Sequence, residues 1–248
     1  MGLVLSNRNM RSRRLESPYI VVRILNSLKG FYTFKELEEK TGIPFQVLWR
    51  YTSLTSIPEK RTAKRIIDKI EEQGLIENII ERVIVKNSHG YIESWRYLYN
   101  PRFLGLVGYE AAKFTRGEKI DAILTFPQED APLALVVSEW LGVRVYVGFT
   151  YLKLEIEKYL QAAYTSLDRG RMVNVYVPRG ILRKGDNVLV VRNIAKDWAS
   201  LKALLQIVER AGARVWGLLV VVSISEEWRK RVEQHSIKRV KILKSLED

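Results

Sequence analysis

The chain has 248 residues, with 41 Lys and Arg against 28 Asp and Glu, a formal net charge of +13 and no cysteine. Without Cys, and with His89 and His235 as its two imidazoles, it cannot be a disulfide scaffold, a zinc finger or a cysteine-nucleophile enzyme, and no metal or cofactor is expected. No apolar run approaches the roughly 18 residues that span a bilayer, and the first 15 residues lack the apolar core of a secretory signal, so the expectation is a cytoplasmic protein with a polyanionic rather than a membrane partner.

The positive charge is not spread evenly. Residues 1–66 hold 13 Lys and Arg against 5 Asp and Glu, a net of +8. Arg8, Arg11, Arg13 and Arg14 form a polar arm over residues 1–17. Pro18 then opens an apolar period, Ile20, Val21, Ile24, Leu25 and Leu28, which predicts one helix face ended near Gly30.

In the next stretch Thr33 and Glu36 have the spacing of a capping box, with Leu37 turned inward. Gly42 supplies a tight turn, Ile43 packs beneath it, and Pro44 suits the first turn of a second helix. Val47 and Leu48 bury that helix. Phe45, Gln46, Trp49 and Arg50 are left for its exposed face. Gln reads adenine edges and Arg reads guanine edges in a major groove, which makes Gln46 and Arg50 the candidates for base readout. Lys60, Arg61, Lys64 and Arg65 recur at helical spacing and are candidates for phosphate contact, with Thr33 grouped among the DNA-facing residues. Residues 18–72 resemble the repressor-type helix-turn-helix family in this Thr-Gly-Ile-Pro turn and the helix that follows an Ile-Pro step. The resemblance implies double-stranded DNA as partner.

Residues 79–85 and 91–99 change to a strand-like period around Asn87-Ser-His-Gly90, which predicts a β-hairpin. Residues 79–102 would be a wing on DNA or a linker. Glu77, Glu81 and Glu93 would oppose a phosphate backbone and favour the linker. His89 reads as a solvated loop residue.

Residues 103–248 alternate apolar strands with helical stretches, which predicts an α/β domain with a parallel sheet covered on both faces. Ligands of such sheets bind beyond the carboxyl ends of the strands, which directs attention to the loops after Leu124, Val147 and Val191. Trp140, Trp216 and Trp228 fall in apolar surroundings and read as core or interface. His235, in the basic segment 229–244, reads as a surface residue of a terminal helix.

The segments Lys119-Ile-Asp-Ala-Ile-Leu-Thr-Phe-Pro-Gln-Glu-Asp130, Arg183-Lys-Gly-Asp-Asn-Val-Leu-Val-Val191 and Ala211-Gly-Ala-Arg-Val215 resemble a type I phosphoribosyltransferase domain over about residues 103–223. The resemblance implies an acidic pair for ribose hydroxyls after the second segment, then a Thr/Gly-rich phosphate loop at a helix N-terminus. Arg192-Asn193 stand at the acidic pair and Lys196-Asp-Trp-Ala-Ser200 at the loop. Trp198 and Ala199 add bulk where glycines would admit a phosphate, and Glu129 and Asp130 would repel a pyrophosphate. The expectation is therefore a domain without phosphoribosyl transfer activity. Its altered loop is either a filled turn in which Asp197 caps the following helix, or a changed pocket made by Gln128, Arg192, Asn193, Lys196, Asp197 and Ser200 for a nucleotide or phosphorylated metabolite.

A helix-turn-helix domain (18–78) ahead of a phosphoribosyltransferase-like domain (103–248) is the arrangement of purine-operon repressors and related archaeal regulators. The resemblance implies a homodimeric transcriptional regulator. An architectural nucleic-acid-binding protein and an active phosphoribosyltransferase are the alternatives.

Overall fold

A computed structural model describes residues 17–166, 170–235 and 237–246. The arginines of the basic arm lie outside these residues. The chain divides into two compact units, Met1–Glu118 and Lys119–Asp248.

The described part of the first unit is helical. Helix α1 (Pro18–Leu28) buries Val21, Ile24, Leu25 and Leu28 of the predicted apolar face, with Val22 buried beside them and Ile20 only half-buried. Helix α2 (Phe34–Thr41) starts at a complete capping box: Thr33 Oγ1 accepts from the Glu36 amide, and Glu36 Oε2 accepts from the Thr33 amide at 2.6 Å. It stops at Gly42, whose φ of 66° is a left-handed conformation that costs glycine little. Helix α3 (Phe45–Thr52) follows, anchored by the fully buried Leu48, with Ile43 buried beneath the turn. Helix α4 (Lys60–Glu72) buries Ala63, Ile66 and Ile70 along one stripe.

The hairpin expected over 79–102 is not formed. Residues 79–83 belong to helix α5 (Leu75–Val83), which buries Leu75, Ile76, Ile79 and Ile80 and leaves Glu77, Glu81 and Arg82 outside. The β-branched isoleucines suggested a strand, but their pairing at i and i+4 with acids between them is helical once a neighbouring apolar surface exists. What remains of the hairpin is a single bridge, Lys86 to Ile92, around the exposed turn that holds His89. A short helix α6 (Trp95–Leu98) replaces the second strand.

Helix α7 (Pro101–Phe114) also falls in the first unit rather than opening the second. Asn100 caps it, its Oδ1 accepting from the amides of Arg102 and Phe103 at 3.0 and 3.3 Å. Its apolar face, Phe103, Leu104, Leu106 and Val107, is buried, and it packs on α1. A Cβ at Gly105 would stand 2.5 Å from Ser27 Oγ, so a side chain there would force the Ser27 hydroxyl to move. The last turn of α4 is tied to α7, because Tyr109 Oη donates to Glu71 Oε1 at 2.7 Å and Lys113 lies 3.3 Å from the same carboxylate. Burial and the Glu71 carboxylate push the Tyr109 phenol upward.

The second unit is α/β. Strands β1 (Ala122–Thr125), β2 (Arg144–Val147), β5 (Asn187–Ala195), β6 (Arg214–Ser223) and β7 (Val240–Ser245) form one sheet in the order β2-β1-β5-β6-β7, every pair parallel. Helix α8 (Ala131–Leu141) connects β1 to β2, α9 (Trp198–Arg210) connects β5 to β6, and α10 (Glu227–Gln234) connects β6 to β7. Crossing from β1 to β2 runs one way along the sheet and crossing from β5 to β7 runs the other. Right-handed crossovers therefore place α8 on one face and α9 and α10 on the opposite face.

Two features depart from the all-parallel expectation. Strands β3 (Tyr159–Ser166) and β4 (Arg171–Pro178) form a separate antiparallel ribbon, so the run at 173–177 is not part of the main sheet. The ribbon packs on α9, with Leu160, Ala162, Val173, Val175 and Val177 joining a core that also holds Trp228. Beyond α10, the basic segment becomes edge strand β7 rather than continuing as helix. Trp140, Trp216 and Trp228 are all buried, as their surroundings predict.

Candidate functional site

The strand order reverses between β1 and β5, which are neighbours. In a doubly wound sheet that reversal leaves a crevice beyond the carboxyl ends of those two strands, because the following connections diverge to opposite faces. Thr125, the last residue of β1, donates through Oγ1 to the Val191 carbonyl of β5 at 2.8 Å and closes the floor of this crevice.

A buried polar cluster stands there. Asp130 follows β1 in a short turn of 3-10 helix, Gln128–Asp130, and is 4% exposed. Its Oδ2 accepts from the Asn193 amide at 2.9 Å and lies 3.6 Å from Arg192 Nε. Arg192, 6% exposed, also donates to Ser200 Oγ at 3.4 Å and to the Ile194 carbonyl at 3.3 Å. Asp197 is the N-cap of α9: its Oδ1 accepts from the Ser200 amide at 2.7 Å and its Oδ2 from Ser200 Oγ at 3.1 Å. Burial pushes the Asp130 carboxyl up to about 6, against the opposing pull of the Arg192 charge and the Asn193 amide.

The structure thus brings together Arg192, Asn193, Asp197 and Ser200 from the sequence-derived set. Gln128 is half-buried in the turn before Asp130, and Lys196 is exposed at the end of the loop. Sequence reasoning treated Asp130 only as a repelling charge and missed that it holds the cluster together. The available signal was its position, an acid between an all-apolar strand and an apolar helix at the carboxyl edge of the sheet.

In the helical unit, Phe45, Gln46, Trp49 and Arg50 are exposed along α3, and Lys60, Arg61, Lys64 and Arg65 are exposed along the first half of α4. Among the described residues, none of these five cationic side chains makes an ion pair or hydrogen bond, whereas Lys69 and Lys113 are paired with Glu72 and with Glu110 and Glu71. The first turn of α4 holds no acid, and Glu59 does not cap it with its side chain. Thr33 has a different place: its hydroxyl is committed to the capping box, donating to Glu36 Oε2 at 2.8 Å.

No protein family model matches the chain. Xanthine phosphoribosyltransferase 1 of Clostridium perfringens is 28% identical over 155 residues, 59% of this chain and 80% of that protein. The probable purine biosynthesis transcriptional regulator PurR of Streptococcus pneumoniae is 25% identical over 143 residues, 57% of this chain and 52% of the regulator. Among solved structures, adenine phosphoribosyltransferase of Rhodothermus marinus superposes with a TM-score of 0.60 at 17% identity, covering 70% of this chain and 99% of that one. The fold is that of a type I phosphoribosyltransferase.

The relatives correct one expectation. The substituted loop suggested a domain without transfer chemistry, yet the similar proteins are mainly phosphoribosyltransferases for xanthine and adenine, which point to an enzyme. Residue types in one loop misled because Arg192 and Asn193 are drawn into the scaffold, bonded to Asp130, Ser200 and Ile194. What they replace does not by itself dictate what the mouth of the crevice can bind. Among the described residues, no helix is long and apolar enough to cross a membrane.

Proposed function

We propose that the chain is a transcriptional regulator in which α2 and α3 form a helix-turn-helix that binds double-stranded DNA, joined to a phosphoribosyltransferase-fold unit that senses a purine-related nucleotide or phosphorylated metabolite. One observation carries the reading: Lys60, Arg61, Lys64 and Arg65 crowd the amino-terminal half of α4 without acidic partners. A helix N-terminus bears about half a positive charge, so Lys60 and Arg61 in the first turn oppose the macrodipole at about 0.3–1 kcal/mol each. A phosphate backbone laid against that end turns the same arrangement favourable. The relatives named as purine regulators support the assignment.

In this reading Gln46 and Arg50 read base edges, Phe45 and Trp49 flank them, and the basic residues of α4 set the docking on phosphate. The chain acts as a homodimer, presenting two α3 helices about 34 Å apart, one turn of DNA, to a palindrome. Gln128, Arg192, Asn193, Lys196, Asp197 and Ser200, with Asp130 beneath them, form the effector site. Selection of bound oligonucleotides from a random pool tests the reading: a palindromic consensus is expected, and recovery without consensus overturns it.

A second reading has a specific observation behind it. The chain matches 80% of the length of xanthine phosphoribosyltransferases, so transfer from phosphoribosyl pyrophosphate to a purine base is to be assayed beside DNA binding. Pyrophosphate release with xanthine, guanine or adenine would establish it.

A further inference from the structure

The candidate effector site uses the carboxyl end of the parallel sheet. The opposite end carries a charge pattern of its own. Two turns meet there, 183–186 before β5 and 211–214 before β6, hydrogen-bonded from the Gly185 amide to the Gly212 carbonyl and from the Arg214 amide to the Asp186 carbonyl, both at 2.8 Å. The Lys184 side chain lies against Gly212. Arg183, Lys184 and Arg214 are exposed, and among the described residues their side chains have no ion pair or hydrogen bond.

The acids nearby do not neutralise them. Asp186 is buried and spent on Arg144 Nη2 at 2.8 Å and on the Arg183 amide at 2.9 Å. Asp121 pairs with Lys119 at 3.1 Å and accepts from the Asn187 amide at 3.0 Å. Glu209 is exposed at the end of α9. Strands spaced about 4.8 Å apart put Arg144 on β2 and Arg214 on β6 about 15 Å from each other. One DNA strand offers a phosphate every 3.4 Å or so along the axis, so an edge of this width faces roughly four of them. β7 joins the sheet only from Leu218 onward, which leaves this edge uncovered by the last strand.

We propose that the amino-terminal edge of the sheet, centred on Arg183, Lys184 and Arg214, is a second contact for the phosphate backbone of duplex DNA, within the phosphoribosyltransferase-fold unit and apart from α3 and α4. It shares its partner with the regulator reading but rests on different residues. The contact is independent of sequence, because Arg183 and Lys184 stand on the loop before β5 and Arg214 at the first residue of β6 rather than on an element that can enter a groove.

The experiment measures affinity of the full chain for a labelled random-sequence duplex by fluorescence anisotropy across a KCl series. The logarithmic salt slope changes by about 0.9 for each phosphate contact. R183Q/K184Q/R214Q should flatten it by about 2–3, R183K/R214K should leave it unchanged, and Lys184 in the unaltered chain should be protected several-fold from acetylation by duplex. A triple variant with the unaltered slope, or Lys184 modified equally with and without duplex, overturns the proposal. A slope lowered by K60Q/K64Q but not by the triple variant rejects this edge and leaves the regulator reading standing. The reverse pattern rejects the α4 contact and keeps the edge. No duplex binding by the unaltered chain rejects both. Displacement by single-stranded RNA more readily than by duplex rejects DNA as the partner of the edge.

Discussion

Replacing Asp130 by Asn tests whether the crevice between β1 and β5 is organised by a buried, titrating carboxyl. In the folded chain this group titrates at about 6, above the usual carboxylate value of 3.8, and the largest cause is burial. The folded state therefore binds the proton more tightly than the unfolded chain does. Stability from this group is fully present below about pH 4 and is lost as pH rises through about 6. A displacement of about two units at about 1.4 kcal/mol per unit makes the loss about 3 kcal/mol.

Asp130→Asn cannot titrate, so its stability carries no contribution from this proton equilibrium. The informative quantity is the difference between the two proteins. Measured by urea unfolding through the buried tryptophans Trp140, Trp216 and Trp228, the unaltered chain minus the variant should fall by about 2 kcal/mol between pH 4 and pH 7. Parallel stability curves over that range would refute the assignment of Asp130 as a buried carboxyl opposed to Arg192.

Four further outcomes are expected. Arg50→Ala should cost about 1–3 kcal/mol on a selected operator and relax the preference at one base, and equal losses on random duplex would remove it from base readout. Lys60→Gln with Lys64→Gln should weaken binding to all duplexes and lower the salt slope by nearly two, as read in the same anisotropy series. Asp197→Ala removes the side-chain cap of α9 and should lower stability by about 0.5–2 kcal/mol in urea titrations, with an unchanged midpoint arguing against the cap. Leu204→Ala empties a fully buried position on the core side of α9 and should cost about 2–5 kcal/mol, where a loss below 1 would show that the site collapses around it.

Several features were legible in the sequence because their causes are local. The capping box of Thr33 and Glu36, the left-handed turn at Gly42, the cap at Asp197 and the apolar face of α1 each depend on residues within a turn or two. The parallel sheet was legible for a related reason: strands buried on both faces read as apolar runs, as 188–191 and 218–222 do. The sequence also concentrated its net charge toward one end and excluded thiol and zinc chemistry.

Tertiary structure decided what depends on distant neighbours. Residues 75–83 became a helix because a second apolar surface covers Leu75, Ile76, Ile79 and Ile80, and no local pattern separates that outcome from a strand of β-branched residues. The 173–177 run left the main sheet for a ribbon on α9, a choice made by pairing between segments rather than by composition. Asp130 and Arg192, 62 positions apart in the sequence, meet because the sheet reverses its strand order between β1 and β5. Charge type is written in the sequence, but whether a charge is spent on a neighbour or left for a ligand is set by distance and burial, which only the folded chain supplies.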